Sequence, residues 1–515
     1  MDPVVLDHSR YPQVCGELFR AVQSGGLFDD DKTFVDAKPR ESPPVIVERF
    51  LDQRENDGFD LETFVHRHFA IPAPVEHEGA HPESMEEYIE TVWSSLTRTF
   101  DADPPDDGTL FSLPNRHVVP GDRFREMYYW DSYFIAEGLA AVDRIDAVAD
   151  IVDNVASMVD AFGFVPLGNR VYYDSRSQVP LFYRTLHVLE RERGFAAVDP
   201  YVDRLVDEYE FWMAGRESVL ADDEPAAARR VVELPDGTAL NRYWDSRAKP
   251  RPEAYSHDRE LAARVPTDDR PALFRDLRAA CESGWDFTTR WLADAEDMTS
   301  IRTTDLVPVD LNAVLYEVET GLTDWLARRG EDDRASAFEG AAERRREAVE
   351  THLWDEEAGF YVDYDWAGQS RSAELTLAGT VPLFAGLASQ ERAERVAGVV
   401  STEFLEDGGL VTTLRSSDQQ WDRPNGWAPL QWFAVVGLRR YGFDALAEEI
   451  ADRWLSMVRS VYDQTGTMQE KYDVHVADSG VGLGEYPQQY GFGWTNGVAV
   501  ALESLDDADV RRVDR

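Results

Sequence analysis

Two carboxylates of this chain stand in surroundings suited to proton transfer. Asp286 lies between Trp285 and Phe287, where partial desolvation favours the protonated acid; Glu470 precedes Lys471, whose ammonium keeps a carboxylate ionised if it turns toward it. Glycosidic hydrolysis needs this division, one carboxyl to protonate the leaving oxygen and another to activate water or attack carbon. The chain carries 98 Asp and Glu residues, so spacing does not select the pair, and the reading of each as a solvated surface acid stays open on these grounds.

A second group of residues would hold a substrate for such chemistry. The segment from Pro120 to Phe134 sets Arg123, Arg125, Glu126 and Asp131 among Phe124, Tyr128, Tyr129, Trp130, Tyr133 and Phe134. A polyhydroxylated ring asks for that mixture, because aromatic faces cover its C–H surface while guanidinium forks and carboxylates divide its hydroxyls. The theme returns around Asn169, Arg176, Ser177 and Gln178, in the stretch from Arg242 to Asp245, in Arg251, Pro252 and Glu253, and from Gln420 to Pro429 with Trp421 and Trp427. Trp-Asp pairs recur at 130, 244, 285, 354 and 421, too irregularly for propeller blades but compatibly with one shared pocket. His77 and His81 fit the H-E-x-x-H zinc pattern, yet Gly79 between them and Pro72, Pro74 and Pro82 around them work against the helix that pattern needs, and solvated loop histidines are expected instead. The glycines at 480, 482 and 484 lack the ending of a phosphate loop and suit a flexible lid.

The elements that position these residues read as mostly helical. Met85, Ile89, Val92, Trp93 and Leu96 follow Pro82 at helical spacing, and a stripe from Val148 to Phe162 stops at Gly163. Further stripes run from Val202 to Tyr209 and from Leu311 to Trp325, with long polar and aromatic connections between. Only local alternation, from Phe360 to Trp366, suggests a strand or hairpin. Residues 1 to 80 read as an arm packed on a helical body of residues 81–505, and 506–515 as a frayed tail.

Composition narrows the function classes. A net charge of −46, with 98 acids against 52 Lys and Arg, disfavours nucleic acid and anionic membranes as partners and favours a neutral substrate. Lysine is confined to Lys32, Lys38, Lys249 and Lys471, and the acids are spread along the chain, a pattern suited to high salt and to a salt-adapted, haloarchaeal type of organism. Cys15 and Cys281 exclude a disulfide framework or a thiolate metal cluster, though one bridge between them stays possible. The first ten residues lack a basic region followed by an apolar stretch, and no apolar run reaches membrane-spanning length, which gives a cytoplasmic expectation.

Taken together, these motifs resemble the trehalases, inverting glycoside hydrolases with an (α/α)6 barrel. The stretch from Pro120 to Phe134 is similar to that family's first signature, with Asp122 where a second glycine is usual, and the stretch from Gln420 to Pro429 is similar to its second. Supporting similarity runs from Gly16–Phe19 and Lys32–Asp36 to Gly491–Gly497. The resemblance implies hydrolysis of α,α-trehalose to two glucoses without cofactor or metal, with Asp286 as general acid and Glu470 as general base, their carboxyls roughly 6.5–9.5 Å apart. It further implies sugar contacts from Arg123, Trp130, Asp131, Arg176, Ser177, Gln178, Arg251, Pro252, Glu253, Gly284 and Glu485, with Asn169, Trp421 and Trp427 as additional candidates. Leu167 departs from the family pattern, standing where a sugar-contacting asparagine is usual. The alternatives are a related barrel glycosidase or phosphorylase acting on another α-glucoside, a zinc peptidase using His77 and His81, and a sugar sensor that binds without turnover.

Overall fold

The computed structural model describes residues 6–72, 82, 84–99, 108–121, 123–219, 226–475 and 489–505. Twelve of the described helices build a two-layered ring: α1 (Met85–Leu96), α2 (Tyr129–Ala141), α3 (Ile145–Phe162), α4 (Phe182–Arg193), α5 (Val202–Met213), α6 (Val309–Arg328), α7 (Asp332–His352), α8 (Val381–Phe384), α9 (Gln390–Val399), α10 (Ala428–Arg440), α11 (Asp444–Thr465) and α12 (Gly493–Ser504). The even-numbered helices form the inner layer. α2 packs on α4, α6 on α8, α8 on α10, α10 on α12, and α12 returns to α2. Between α4 and α6, the Arg184 guanidinium donates to Glu317 at 2.7 Å, completing the circuit. This is the mostly helical body the periodicity predicts and the six-hairpin (α/α)6 barrel the motif resemblance implies.

Sequence dictates which helix takes which layer. The inner helix α2 buries residues on all sides, from Tyr129 through Leu139, as a helix without a polar face must. The outer helix α3 instead buries a stripe, Val148, Ile151, Val152, Val155, Met158, Val159 and Phe162, and ends at Gly163 with φ of 75°, a left-handed cap that a Cβ would disfavour. The alternation from Phe360 to Trp366 resolves into two short strands. Phe360–Tyr361 pairs with Trp354–Asp355, and Tyr364–Asp365 pairs with both Ser370–Arg371 and Leu306–Val307.

The amino-terminal residues are more helical than their weak periodicity suggests, with helices Gly16–Ser24, Asp31–Val35, Pro43–Gln53 and Leu61–His68. Two of these carry side-chain N-caps from Asp30 and Asp60. Gly16–Ser24 packs on helix Tyr255–Ala263, and Asp31–Val35 packs on the turn Pro252–Ala254. Lys32 is buried beneath the ring's loops, 2.5 Å from Asp36 and 2.7 Å from Glu126. Such a buried ammonium is tolerable only because two carboxylates face it. Long connections lead into the inner helices, and these carry nearly every motif singled out above. His77, His81, the glycines at 480–484, Glu485 and the tail 506–515 lie outside the described residues.

Candidate active site

A cavity of about 270 Å³ opens among these connections, and both Asp286 and Glu470 line it. Arg123, Trp130, Asp131, Arg176, Gln178, Arg251, Glu253, Gly284, Trp421 and Trp427 line the same cavity, with Asp29–Lys32 contributed by the amino-terminal arm. Its volume lies just below the ~300–1,000 Å³ typical of small-molecule sites. The motifs are therefore scattered in sequence and adjacent in space.

Three predicted contacts do not reach the wall. Ser177 donates its hydroxyl to the Val165 carbonyl at 2.7 Å and its N–H to Glu282 at 2.9 Å. Pro252 offers its carbonyl to the Gln23 amide at 3.1 Å. Asn169 uses both ends of its amide on backbone, accepting from the Met127 N–H and donating to the Phe111 carbonyl, each at 2.8 Å. These residues brace the segments that bear their neighbours, a role sequence spacing cannot distinguish from sugar contact.

Local chain geometry aims the two central carboxylates. The helix Arg270–Ser283 ends at Gly284, whose φ is 79° and whose missing Cβ would lie 2.8 Å from Cζ2 of Trp130. Glycine thus lets the chain turn into Asp286 while the Trp130 ring lies against the turn. Glu470 is almost wholly buried, with its N–H on the Gln489 carbonyl at 3.1 Å and its own carbonyl accepting from the Trp494 indole at 3.0 Å. Lys471 does turn toward it, placing Nζ 3.0 Å from Oε2. The same ammonium donates to Oε1 of Gln420 at 3.2 Å.

The cavity walls match the mixture expected for a sugar. Trp421 and Trp427 stack at 3.8 Å with 1° between planes, Trp285 stacks on Trp421 at 5.6 Å, and Trp130 and Trp494 meet edge to face at 5.7 Å. Of the five Trp-Asp pairs, those at 130, 285 and 421 meet here, whereas Trp244 and Trp354 lie under Arg275 and Arg392. Arg176 is fully buried and pairs with Glu253. Burial opposes its charge, but the Glu253 carboxylate more than offsets this and holds the guanidinium protonated; Arg176, Arg251 and Arg278 in turn overcome burial to keep Glu253 ionised. Among the described residues, Nε and Nη1 of Arg176 and Oε2 of Glu253 make no hydrogen bond, Nη1 lying 3.7 Å from Asp245, so that the pair presents donors and an acceptor suited to hydroxyl groups. Asp131 is pushed well above the usual carboxylate range, first by burial and then by the neighbouring carboxyls of Glu470 and Asp286. Both effects favour its protonated form, which donates as well as accepts.

Sequence reasoning passed over several contributors. Asp30 grips Arg123 through two hydrogen bonds of 2.8 Å, which overcome the effect of burial and hold its carboxyl below the usual range. Glu126, an attractive catalyst by position, is instead bonded to Tyr128 and flanked by Lys32 and Arg170. Leu167 lines the cavity. Both cysteines are free, and Cys281 stands on the cavity wall with its thiol pushed up by burial.

Comparison with known proteins bears on the family and the fold. The trehalase family model matches residues 26–506. A periplasmic trehalase of Pseudomonas aeruginosa is 48% identical over 95% of this chain and 89% of its own length, and one of Citrobacter koseri is 44% identical over 95% and 85%. The neutral trehalase Nth1 of Saccharomyces cerevisiae superposes with a TM-score of 0.63 at 26% identity, covering 84% of this chain and 82% of that one. A GH63 mannosylglycerate hydrolase from Thermus thermophilus, solved with glucose, shares the fold alone, with a TM-score of 0.52 at 20% identity over 81% and 99% of the two chains. Two expectations change. The relatives' name overturns the cytoplasmic location and points to the periplasm, and their bacterial sources give no support to a haloarchaeal origin. A matching family model over most of the length and relatives near half identity establish that the chain belongs to the trehalase family, as a glycoside hydrolase.

Proposed function

We propose that this cavity hydrolyses α,α-trehalose to two glucoses in the periplasm by a single displacement with inversion. The observation that carries the reading is the convergence of Asp286 and Glu470 on one cavity whose remaining wall is arginine, carboxyl and tryptophan. Asp286 gives its proton to the bridging oxygen as the bond from that oxygen to the anomeric carbon breaks. Glu470 takes a proton from the water whose oxygen bonds to the opposite face of that carbon. Charge building on the ring as it flattens toward an oxocarbenium ion faces Glu470, while Arg176 and Glu253 present donors and an acceptor for hydroxyls.

Asp286→Asn and Glu470→Gln preserve shape and remove the proton-transfer role. Each should lower kcat on trehalose by about 10²–10⁴-fold with the thermal transition retained. Turnover at the normal rate in either variant refutes its assignment. Inorganic phosphate that accelerates the reaction and yields glucose 1-phosphate would favour a phosphorylase instead. The acid excess supports a separate proposal, that the enzyme works best at high salt.

A further inference from the structure

We propose that Gln420 is a positioning residue that fixes the general acid and the general base relative to each other. The inference rests on the roles assigned above to Asp286 and Glu470. Gln420 is buried, and its side chain spans the gap between the two segments that carry those carboxylates. Nε2 donates to the backbone carbonyl of Asp286 at 2.5 Å, while Oε1 accepts from Lys471 Nζ at 3.2 Å. Lys471 reaches on to Oε2 of Glu470 at 3.0 Å. One amide therefore connects the backbone of the acid to the counter-ion of the base.

Chemistry on either side dictates how this amide is oriented. A carbonyl can only accept and an ammonium can only donate, so the nitrogen must face Asp286 and the oxygen must face Lys471. The residue's own backbone is pinned as well, its carbonyl accepting from Asn425 Nδ2 at 2.9 Å and from Trp427 Nε1 at 3.0 Å. Neighbouring backbone links bring the three segments together without fixing the carboxylates themselves. Trp421 N–H donates to the Phe287 carbonyl at 3.0 Å, and Asn425–Gly426 pairs antiparallel with Tyr472–Asp473. Single displacement demands that acid and base keep a separation that admits one water, and a misplacement of about 1 Å can cost on the order of 10²-fold. Of the contacts described, Gln420 joins the acid-bearing and base-bearing segments through a side chain whose two ends each allow a single partner type.

The test is steady-state kinetics on trehalose for Gln420→Met, Lys471→Met and the double variant, with Asp286→Asn and Glu470→Gln assayed beside them. Gln420→Met keeps the volume and deletes both hydrogen bonds. It should lower kcat by about 10–100-fold with KM changed by less than about threefold. The double variant should lose scarcely more than the worse single variant, because both act through one contact. Gln420→Glu serves if the Met variant does not fold. It retains the Lys471 partner but sets a carboxylate against the Asp286 carbonyl, and should lose kcat comparably. Normal kcat in the Gln420 variants, a rise in KM alone, or losses that multiply in the double variant would overturn the inference while leaving the catalytic assignments intact. Normal turnover by Asp286→Asn or Glu470→Gln would instead sink the assignments on which it rests.

Discussion

Leu167 stands where the resemblance to the trehalases implies an asparagine, and it lines the cavity. An apolar side chain there offers no partner to a sugar hydroxyl. Leu167→Asn should therefore lower KM for trehalose by about 2–10-fold, the worth of one added hydrogen bond. Unchanged KM would mean that the hydroxyl is already served by another group. Individual residues were legible in the sequence to different depths. Asp286 and Glu470 carry local hints in Trp285 and Lys471, but selecting them from 98 acids required long motifs. Asp30 carries no local hint of function and Gln420 is legible only as the start of a motif, because their contacts are with Arg123, Asp286 and Lys471, far off in the chain. Asn169 and Ser177 show the converse. Their residue types suit sugar binding, yet nearby backbone groups claim their side chains.

Helices were legible where one face alternates with solvent, as in α3, and where a glycine marks the stop. The arm's short helices were not, because a five-residue helix such as Asp31–Val35 offers too few turns for periodicity and is held by its cap and by buried Lys32. Closure of the ring also escapes sequence reading. It depends on α2 meeting α12 so closely that a Cβ on Gly138 would lie 2.8 Å from the Gly497 carbonyl oxygen and 2.9 Å from its carbon. Backbone meets backbone there, so no side chain can swing away. Gly138→Ala should destabilise the fold by up to about 2 kcal/mol net, overpacking of about 1–3 kcal/mol outweighing the ~1 kcal/mol that alanine gains in helix propensity. A thermal melt checks this, and an unchanged or raised Tm would show that the two helices part cheaply.

At the scale of the whole molecule, a formal charge of −46 sets the terms on which the barrel holds together. Repulsion among surface acids is screened over about 3 Å at 1 M salt and about 30 Å at 0.01 M, so Tm should rise with salt across that range. Equal Tm at both ends would remove the salt-adaptation reading while leaving the chemistry untouched. The barrel and its connections otherwise bring Asp286 and Glu470 to one cavity, where the proposed displacement sets an acid and a base on opposite sides of one anomeric carbon. The stereochemistry of the product tests that most directly. NMR of glucose released from α,α-trehalose within the first minutes, faster than mutarotation, should show β and α anomers in equal amounts, the β from the attacked ring and the α from its partner. Release of α-glucose alone would contradict a single displacement by Asp286 and Glu470.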